Sequence, residues 1–211
     1  MGQIVAQLHG LAIPCRPPPE HNRLMDADRW MSLAAAGRNR RAGWANRIAQ
    51  EVESLARIAA GPTPAQLGRD ELVGSHRDLN AHNVLFSEAG LHLIDWDAAG
   101  PAWPRWERVD FGLRWAERPN RQYDERVLEA FLLGYLDGGG ILGRDDAAVV
   151  SAAPAALVAW VVQNVEMAIE APSDDQDCLA AVLIEALLEM PETVTRRQEA
   201  LDRCLSRLRV G

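Results

Sequence analysis

Lysine is absent from this 211-residue chain, and all 22 basic residues are arginines. Any mechanism that requires a lysine side chain is therefore excluded for these residues alone. A positive charge balance is also missing, because 30 acidic residues bring the net charge to −8 at pH 7 and the isoelectric point to about 5.1. Nucleic-acid-binding proteins normally carry a basic face, so we expect no nucleic-acid partner.

Cysteine is scarce, and long apolar runs are missing. Cys15, Cys178 and Cys204 are odd in number and widely spaced, which fits neither a disulfide framework nor a CxxC metal site. This favours the reducing cytoplasm. Residues 1–11 lack the basic segment and the apolar core of a signal peptide. The most apolar stretch, 147–165, is interrupted by polar residues and a proline, so it predicts a buried helix and no membrane span.

Composition places the chain among ordinary globular proteins. Apolar residues make up 48 % and charged residues 25 %, which supplies enough apolar material for a core. At about 150 residues per domain, the length corresponds to one large domain or to one domain with a small appendage.

The first third of the chain predicts helices. Apolar residues at helical spacing in 4–11 predict a short helix that ends before Pro14. Asp26 is expected to be the N-cap of a second helix that runs through Ala36. Residues 44–60 predict one longer amphipathic helix.

A β-hairpin is expected near the middle of the chain. Three short apolar runs follow one another, at residues 72–75, 84–86 and 91–94. Glu88-Ala89-Gly90 between the last two is a tight-turn signal, so residues 83–95 predict a hairpin. From Glu107 onward the pattern is helical to the end. The sequence therefore predicts a mainly α protein with a small β-hairpin insert, in the α+β class.

Polar and ionisable side chains crowd around this hairpin, at His76, Asp78, Asn80, His82, Asn83, His92, Asp95 and Asp97. Because a hairpin brings its two ends together, we expect Asn83 and Asp95 to be neighbours. An amide oxygen beside a carboxylate suits Mg²⁺. Asp78, one loop away, is placed to accept a proton from a hydroxyl near that metal. For each residue taken singly, ordinary turn chemistry is the alternative interpretation.

Four segments resemble those of one known family. Residues 76–83, His-Arg-Asp-Leu-Asn-Ala-His-Asn, resemble the HxDxxxxN catalytic loop of the aminoglycoside phosphotransferase and choline kinase family, which is related to the protein kinases. Residues 94–97, Ile-Asp-Trp-Asp, resemble its h-D-W-[DE] segment. Asp110 is similar to the acid of its D-P-x-x-D-L-A stretch, and residues 4–11 resemble the helix that follows the hinge between the family's two lobes.

The resemblance implies a small-molecule kinase. Such a transferase uses Mg²⁺ and ATP, or another nucleoside triphosphate, to phosphorylate a hydroxyl of a small molecule. By this resemblance Asp78 is the catalytic base, and Asn83 and Asp95 are the magnesium ligands that hold the nucleotide. His76 braces the loop, and Asp97 is an acid linked to the metal.

Only the helical lobe of the family is represented. The resemblance implies a single kinase-like C-terminal lobe over 1–211, with a helical segment at 1–70, the catalytic loop and hairpin at 71–100 and a substrate-side helical bundle at 101–211. The family's glycine-rich phosphate loop does not occur before His76, and its lysine occurs nowhere. We therefore expect the N-terminal β lobe to be absent from these residues, and activity to need a companion chain that supplies it, a homodimer, or a longer natural protein of which this sequence is a fragment.

Aromatic and acidic side chains are the candidates for contacts with the acceptor substrate. Trp103 and Trp106 lie beside prolines and are candidates for an aromatic wall, with packing in the core as the alternative. Glu166 and Glu170 are one helical turn apart in the acidic second half of the chain. They suit a cationic substrate, although solvated helix faces explain the same charge bias.

Two other functions stay open at this point. Because the phosphate-binding groups are missing, the lobe is alternatively one that binds a ligand or a partner, or that catalyses a reaction other than phosphoryl transfer. A metal hydrolase is the third hypothesis, with zinc or manganese held among His76, Asp78, His82, His92 and Asp95.

Overall fold

The structure is a computed structural model that describes residues 1–15, 25–64, 72–88, 90–143 and 146–208. In this part of the chain the elements follow one another as α1 (Gly2–Gly10), α2 (Ala27–Asn39), α3 (Trp44–Gln50), α4 (Val52–Ala59), β1 (Val73–Ser75), β2 (Val84–Ser87), β3 (Gly90–Leu93), β4 (Gly100–Ala102), α5 (Pro104–Ala116), α6 (Glu125–Asp137), α7 (Asp146–Val149), α8 (Ala153–Glu170), α9 (Asp174–Leu188) and α10 (Met190–Leu208). Helices dominate, and the strands form two small antiparallel pairs, as predicted for a mainly α chain with a small β part.

The chain divides into two compact units. The first unit consists of Met1–Glu20, Pro64–Val150 and Arg196–Gly211, and it holds all four strands. The second unit consists of His21–Thr63 and Ser151–Thr195, and its described elements are helical.

In the first unit, α1 packs directly against α6. A Cβ atom at Gly2 would lie only 1.8 Å from the carbonyl oxygen of Phe131, so only glycine permits this approach. Val5 on α1 and Leu132 on α6 are fully buried. The predicted opening helix is confirmed, and this contact fixes it to the unit that contains the hairpin.

Two strand pairs lie in the first unit. The predicted hairpin is confirmed as β2 and β3, with Val84 opposite Leu93, although Ala89 of its turn lies outside the described residues. The run at 72–75 forms β1, which pairs antiparallel with β4 so that Ser75 lies opposite Gly100. We did not predict β4, because Gly100-Pro101-Ala102 has neither the alternation nor the β-branched residues of a strand.

Two sequence predictions in the second unit have different outcomes. The Asp26 side chain accepts a hydrogen bond of 2.9 Å from the Arg29 backbone, which confirms it as the N-cap of α2. The single helix predicted at 44–60 is wrong, because the chain breaks at Glu51 into α3 and α4. The break directs apolar residues of both helices into one core, which includes Trp44, Ile48, Leu55, Val161, Val165 and Ile184.

One described helical stretch, Val150–Glu170, is long and apolar enough to cross a membrane by length and composition, with a mean hydropathy of 1.4. Core helices of soluble proteins meet the same criterion. Here α8 packs along α9, and 33 % of the apolar window is buried inside the protein. A single helix of this kind is weak evidence for a membrane span.

Candidate functional site

The two strand pairs bring two connecting segments side by side. Loop 76–83 connects β1 to β2, and segment 94–99 connects β3 to β4. Since β1 pairs with β4 and β2 pairs with β3, the two segments run antiparallel between the pairs. The backbone N–H of Ile94 donates to the carbonyl oxygen of Asn83 at 3.0 Å, which joins them at the base of the hairpin. Asn83 is thus hydrogen-bonded to Ile94, the residue that precedes Asp95.

His76 is fully buried between the two segments. Its Nε2 lies 2.8 Å from the carbonyl oxygen of Ile94, and a carbonyl can only accept, so Nε2 carries the proton. Nδ1 is then free to accept the Asp78 backbone N–H at 3.4 Å. The imidazole also packs on the Trp96 ring, with centroids 4.6 Å apart. His76 therefore has the contacts expected of a residue that braces the loop.

The Asp78 carboxylate is held by two amide side chains. Asn80 donates to its Oδ1, and Asn83 donates to its Oδ2 at 2.9 Å and to its carbonyl oxygen at 2.8 Å. Both atoms that face Asn83 are acceptors, so the amide nitrogen of Asn83 must point toward Asp78 and its oxygen away from it. Asn83 is 2 % exposed, which fixes this orientation.

Asp95 and Asp97 are exposed at the other side of the site. Asp95 has a left-handed backbone with φ of 61°, a conformation that is unfavourable for a residue with a Cβ and that is concentrated at functional sites. Neither carboxylate has a hydrogen bond or ion pair within the described part of the chain. Both remain available to a ligand.

The oxygen donors of this site fit a magnesium ion. The Asn83 amide oxygen has no hydrogen bond to any described residue, and the Asp95 carboxylate belongs to the neighbouring segment. Amide and carboxylate oxygens are hard ligands, which Mg²⁺ prefers, and it usually retains several waters. Two protein ligands therefore suffice for such a site.

The described residues do not assemble a His-rich metal centre. Among the described residues, no three His, Cys, Asp or Glu side chains come together as a metal-binding group. His82 and His92 are exposed, and His92 lies 2.7 Å from the Ser87 hydroxyl across the hairpin. The metal hydrolase hypothesis therefore lacks its site in the described part of the chain.

Two residues that support the loop were missed in the prediction of site residues. Asn80 orients Asp78 by a side-chain hydrogen bond. Its position two residues after an aspartate is typical of a local side-chain turn, and this spacing is the signal that identifies it. Trp115 on α5 donates from Nε1 to the carbonyl oxygen of Leu79 at 2.7 Å. No local sequence pattern indicates this second contact.

The residues predicted for the acceptor substrate lie in different places. Trp103 precedes α5 and Trp106 is in its first turn, and both are partly buried. Glu166 and Glu170 are on α8 in the second unit, where Glu166 forms an ion pair with Arg29. Glu170 is exposed at the end of the helix.

Asp110 is a buried structural acid. It lies on α5, 2.7 Å from the Arg114 guanidinium and 3.4 Å from that of Arg197. Burial lowers the pKa of Arg197, but attraction to Asp110 and Tyr123 outweighs this and raises it overall. For the Tyr123 hydroxyl, by contrast, burial raises the pKa, although the nearby Arg197 charge opposes the shift. This network connects α5 to α10.

Comparison with known proteins gives one family match. The model of the phosphotransferase enzyme family matches residues 1–146, which include α1, both strand pairs and α5. No curated protein sequence matches the chain with significant similarity.

Several solved structures are similar to the chain. A choline kinase from Cryptosporidium parvum has a TM-score of 0.54 and 14 % identity, over 96 % of this chain and 67 % of that one. A choline/ethanolamine kinase family protein from Mesorhizobium loti has 0.47 and 20 %, over 94 % and 64 %. An ethanolamine kinase from Plasmodium vivax has 0.48 and 10 %, over 84 % and 52 %. The chain thus spans about two thirds or less of these proteins, and the first likeness shows a kinase-like fold.

Proposed function

Since the chain belongs to the phosphotransferase enzyme family, we propose that it takes part in phosphoryl transfer from ATP, or another nucleoside triphosphate, to a hydroxyl group of a small molecule. The observation that carries this proposal is the Asp78 carboxylate, which Asn80 and Asn83 orient next to the segment that contains Asp95. Phosphoryl transfer depends mainly on positioning and charge stabilisation, and the oriented Asp78 carboxylate serves the positioning.

Asp78 is the proposed catalytic base. Each of its carboxylate oxygens accepts one amide N–H and retains a further lone pair. An acceptor hydroxyl placed against the carboxylate donates its proton there as the oxygen attacks the γ-phosphorus and the nucleoside diphosphate leaves with the bridging oxygen. His76 and Trp115 contribute indirectly, because they fix the backbone on either side of Asp78.

The proposed magnesium ligands are the Asn83 amide oxygen and the Asp95 carboxylate, with Asp97 next to them. When bound, the metal would neutralise charge on the nucleotide phosphates. Asn83 has two tasks in this scheme, since its nitrogen orients the base and its oxygen faces the metal. This coupling ties the position of the base to that of the nucleotide.

Groups outside these 211 residues are proposed to complete the phosphate contacts. The sequence contains no lysine and no GxGxxG loop before His76. A companion chain with a β lobe, or a longer protein of which these residues are a part, would supply them, whereas a second copy of this chain in a homodimer would contribute arginines as its only Lys/Arg cations. For the acceptor we propose a hydroxylated amine. The support is the partly buried Trp103 and Trp106 and a solved structure named as a choline kinase.

Calorimetry with Mg·ATP tests the nucleotide site. We expect binding that requires Mg²⁺ and that weakens at least about 10-fold in Asp95→Asn, since even indirect metal contacts contribute that much. Asp202→Asn, at an exposed position on α10, is the matched control and should bind like the wild type. Equal affinity in Asp95→Asn and the wild type would contradict the assignment of the ligand.

A ligand-binding lobe without phosphoryl transfer is the second candidate function. The lack of lysine favours it, because loss of one preorganised contact to the developing charge typically costs about 3 kcal/mol. Mg·ATP binding without transfer to any acceptor, in the presence and absence of cell extract, is the result that would favour this candidate.

A further inference from the structure

Arg77 is a cation of the site that has no partner among the described residues. It lies between His76 and Asp78, and it is the one lysine or arginine in the sequence from 72 to 100. Its side chain is exposed and has no hydrogen bond, ion pair or ring contact within the described part of the chain. Other arginines of the first unit are paired with carboxylates, among them Arg105, Arg108, Arg114, Arg118, Arg197, Arg203 and Arg207.

The backbone of Arg77 is unfavourable for an arginine. Its φ of 65° lies in the left-handed region, which glycine adopts without strain. Strain of this kind is concentrated at binding and catalytic sites, where the side chain has a use that offsets it. The Arg77 side chain forms no hydrogen bond or ion pair with a described residue. Arg41 shares this backbone and also has no described partner, so it is the position of Arg77 between His76 and Asp78 that indicates a ligand.

The guanidinium lies against Gly100, the first residue of β4. A Cβ atom built on Gly100 would be 3.1 Å from Arg77 Nη1 and 3.6 Å from its Cδ. Gly100 pairs with Ser75 at the start of β4, just after the turn at Trp96–Ala98. The positive charge is thus beside the segment that carries Asp95 and next in sequence to Asp78.

We propose that Arg77 binds a phosphate group of a ligand in this site, an inference that rests on the proposed function. A guanidinium offers paired N–H donors that match phosphate oxygens, and it keeps its charge at all relevant pH values. In a chain without lysine, Arg77 is the fixed positive charge of the region 72–100. The phosphate belongs either to the nucleotide donor or to a phosphorylated acceptor.

Arg77→Gly and a matched variant test this role. Arg41 has the same left-handed backbone, with φ of 61°, is exposed, and has no side-chain partner in the described structure. Binding of Mg·ATP and of inorganic phosphate is measured by calorimetry at low ionic strength. We expect Arg77→Gly to weaken at least one of them about 10-fold or more, as for the loss of a charged hydrogen bond. Arg41→Gly should leave both unchanged.

The two probes separate the sources of the phosphate. Weaker binding of Mg·ATP alone assigns Arg77 to the donor, and weaker binding of inorganic phosphate with unchanged Mg·ATP assigns it to the acceptor. Gly100→Ala, which would displace the guanidinium, should weaken the same probe by a smaller factor. Arg77→Gly and Arg41→Gly should melt at or above the wild-type temperature, since each relieves backbone strain.

Three results would overturn the proposal: no binding of either probe to the wild type, equal affinities in Arg77→Gly and Arg41→Gly, or a marked fall in the melting temperature of Arg77→Gly alone. The last result would show a structural brace. Phosphate binding and phosphoryl transfer are measured in the wild type, Arg77→Gly and Asp78→Asn, which separates this proposal from the proposed function. If phosphate binding depends on Arg77 while none of these proteins transfers phosphate, then the Arg77 site stands and the proposed function fails.

Discussion

Replacing Asn83 by aspartate tests the arrangement around Asp78. In the structure the Asn83 amide nitrogen lies 2.9 Å from Asp78 Oδ2, and Asn83 is 2 % exposed. Asn83→Asp puts a second carboxylate there, and two charges at this distance repel by about 6 kcal/mol at an effective dielectric constant of about 20. Side-chain movement relieves part of this, so we expect a loss of about 3–5 kcal/mol in the free energy of unfolding at pH 7.5.

The pH dependence of the loss distinguishes repulsion from lost hydrogen bonds. One proton shared between the two carboxylates removes the repulsion, so the folded Asn83→Asp protein binds a proton that the unfolded chain releases. Its stability should therefore rise as the pH falls from 7.5 toward 4.5. Asn83→Ala also loses both hydrogen bonds but adds no charge, and we expect a loss of about 1–3 kcal/mol that does not vary in this way.

Urea denaturation followed by tryptophan fluorescence measures both variants at the two pH values. The predicted result is a difference between Asn83→Asp and Asn83→Ala that is large at pH 7.5 and small at pH 4.5. A difference that is the same at both pH values would show that the Asn83 nitrogen does not face the Asp78 carboxylate. The amide oxygen would then be misplaced as a magnesium ligand as well.

Two further predictions concern buried groups of the first unit. His9 Nε2 lies 2.7 Å from Glu107, whose carboxylate is 1 % exposed and has no other partner in the described structure. Because His9→Ala leaves this buried carboxylate unpaired, it should lower the free energy of unfolding by about 3–5 kcal/mol, as measured by urea denaturation. A loss below 1 kcal/mol would show that Glu107 finds another partner. Burial raises the pKa of the Cys204 thiol to about 11, so iodoacetamide at pH 8 should alkylate exposed Cys178 well before Cys204 in the folded protein, as read by mass spectrometry. In urea, the control, the two thiols should react at equal rates. Equal rates in the folded protein as well would contradict the burial of Cys204.

Local signals predicted the elements that depend on near neighbours in sequence. Asp26 caps α2 through a bond to a residue three positions away, and this spacing is visible in the sequence. The hairpin was predicted for the same reason, because its turn and its apolar runs lie within 83–95. Its closure also explains why Asn83 lies next to the segment that contains Asp95.

Contacts between residues that are far apart in the sequence could not be predicted from it. Trp115 donates to Leu79 across 36 positions, and Arg29 pairs with Glu166 across 137. Only the folded packing decides these partners. The second contact bears on function, because the predicted substrate residue Glu166 already has a cationic partner. The break at Glu51 was missed for a similar reason, since the pattern of 44–60 fits one helix and the shared core of the second unit requires two.

Phosphoryl transfer from γ-labelled ATP is the most direct test of the central claim, that Asp78 is the base of a magnesium-dependent phosphotransferase. The full chain is assayed with a panel of hydroxylated amines, with Mg²⁺ or with EDTA, alone and with cell extract as a source of a companion chain. We predict transfer that requires Mg²⁺ and that falls about 10²–10⁴-fold in Asp78→Asn. Equal transfer by Asp78→Asn and the wild type, or no transfer by the wild type under any of these conditions, would contradict the account.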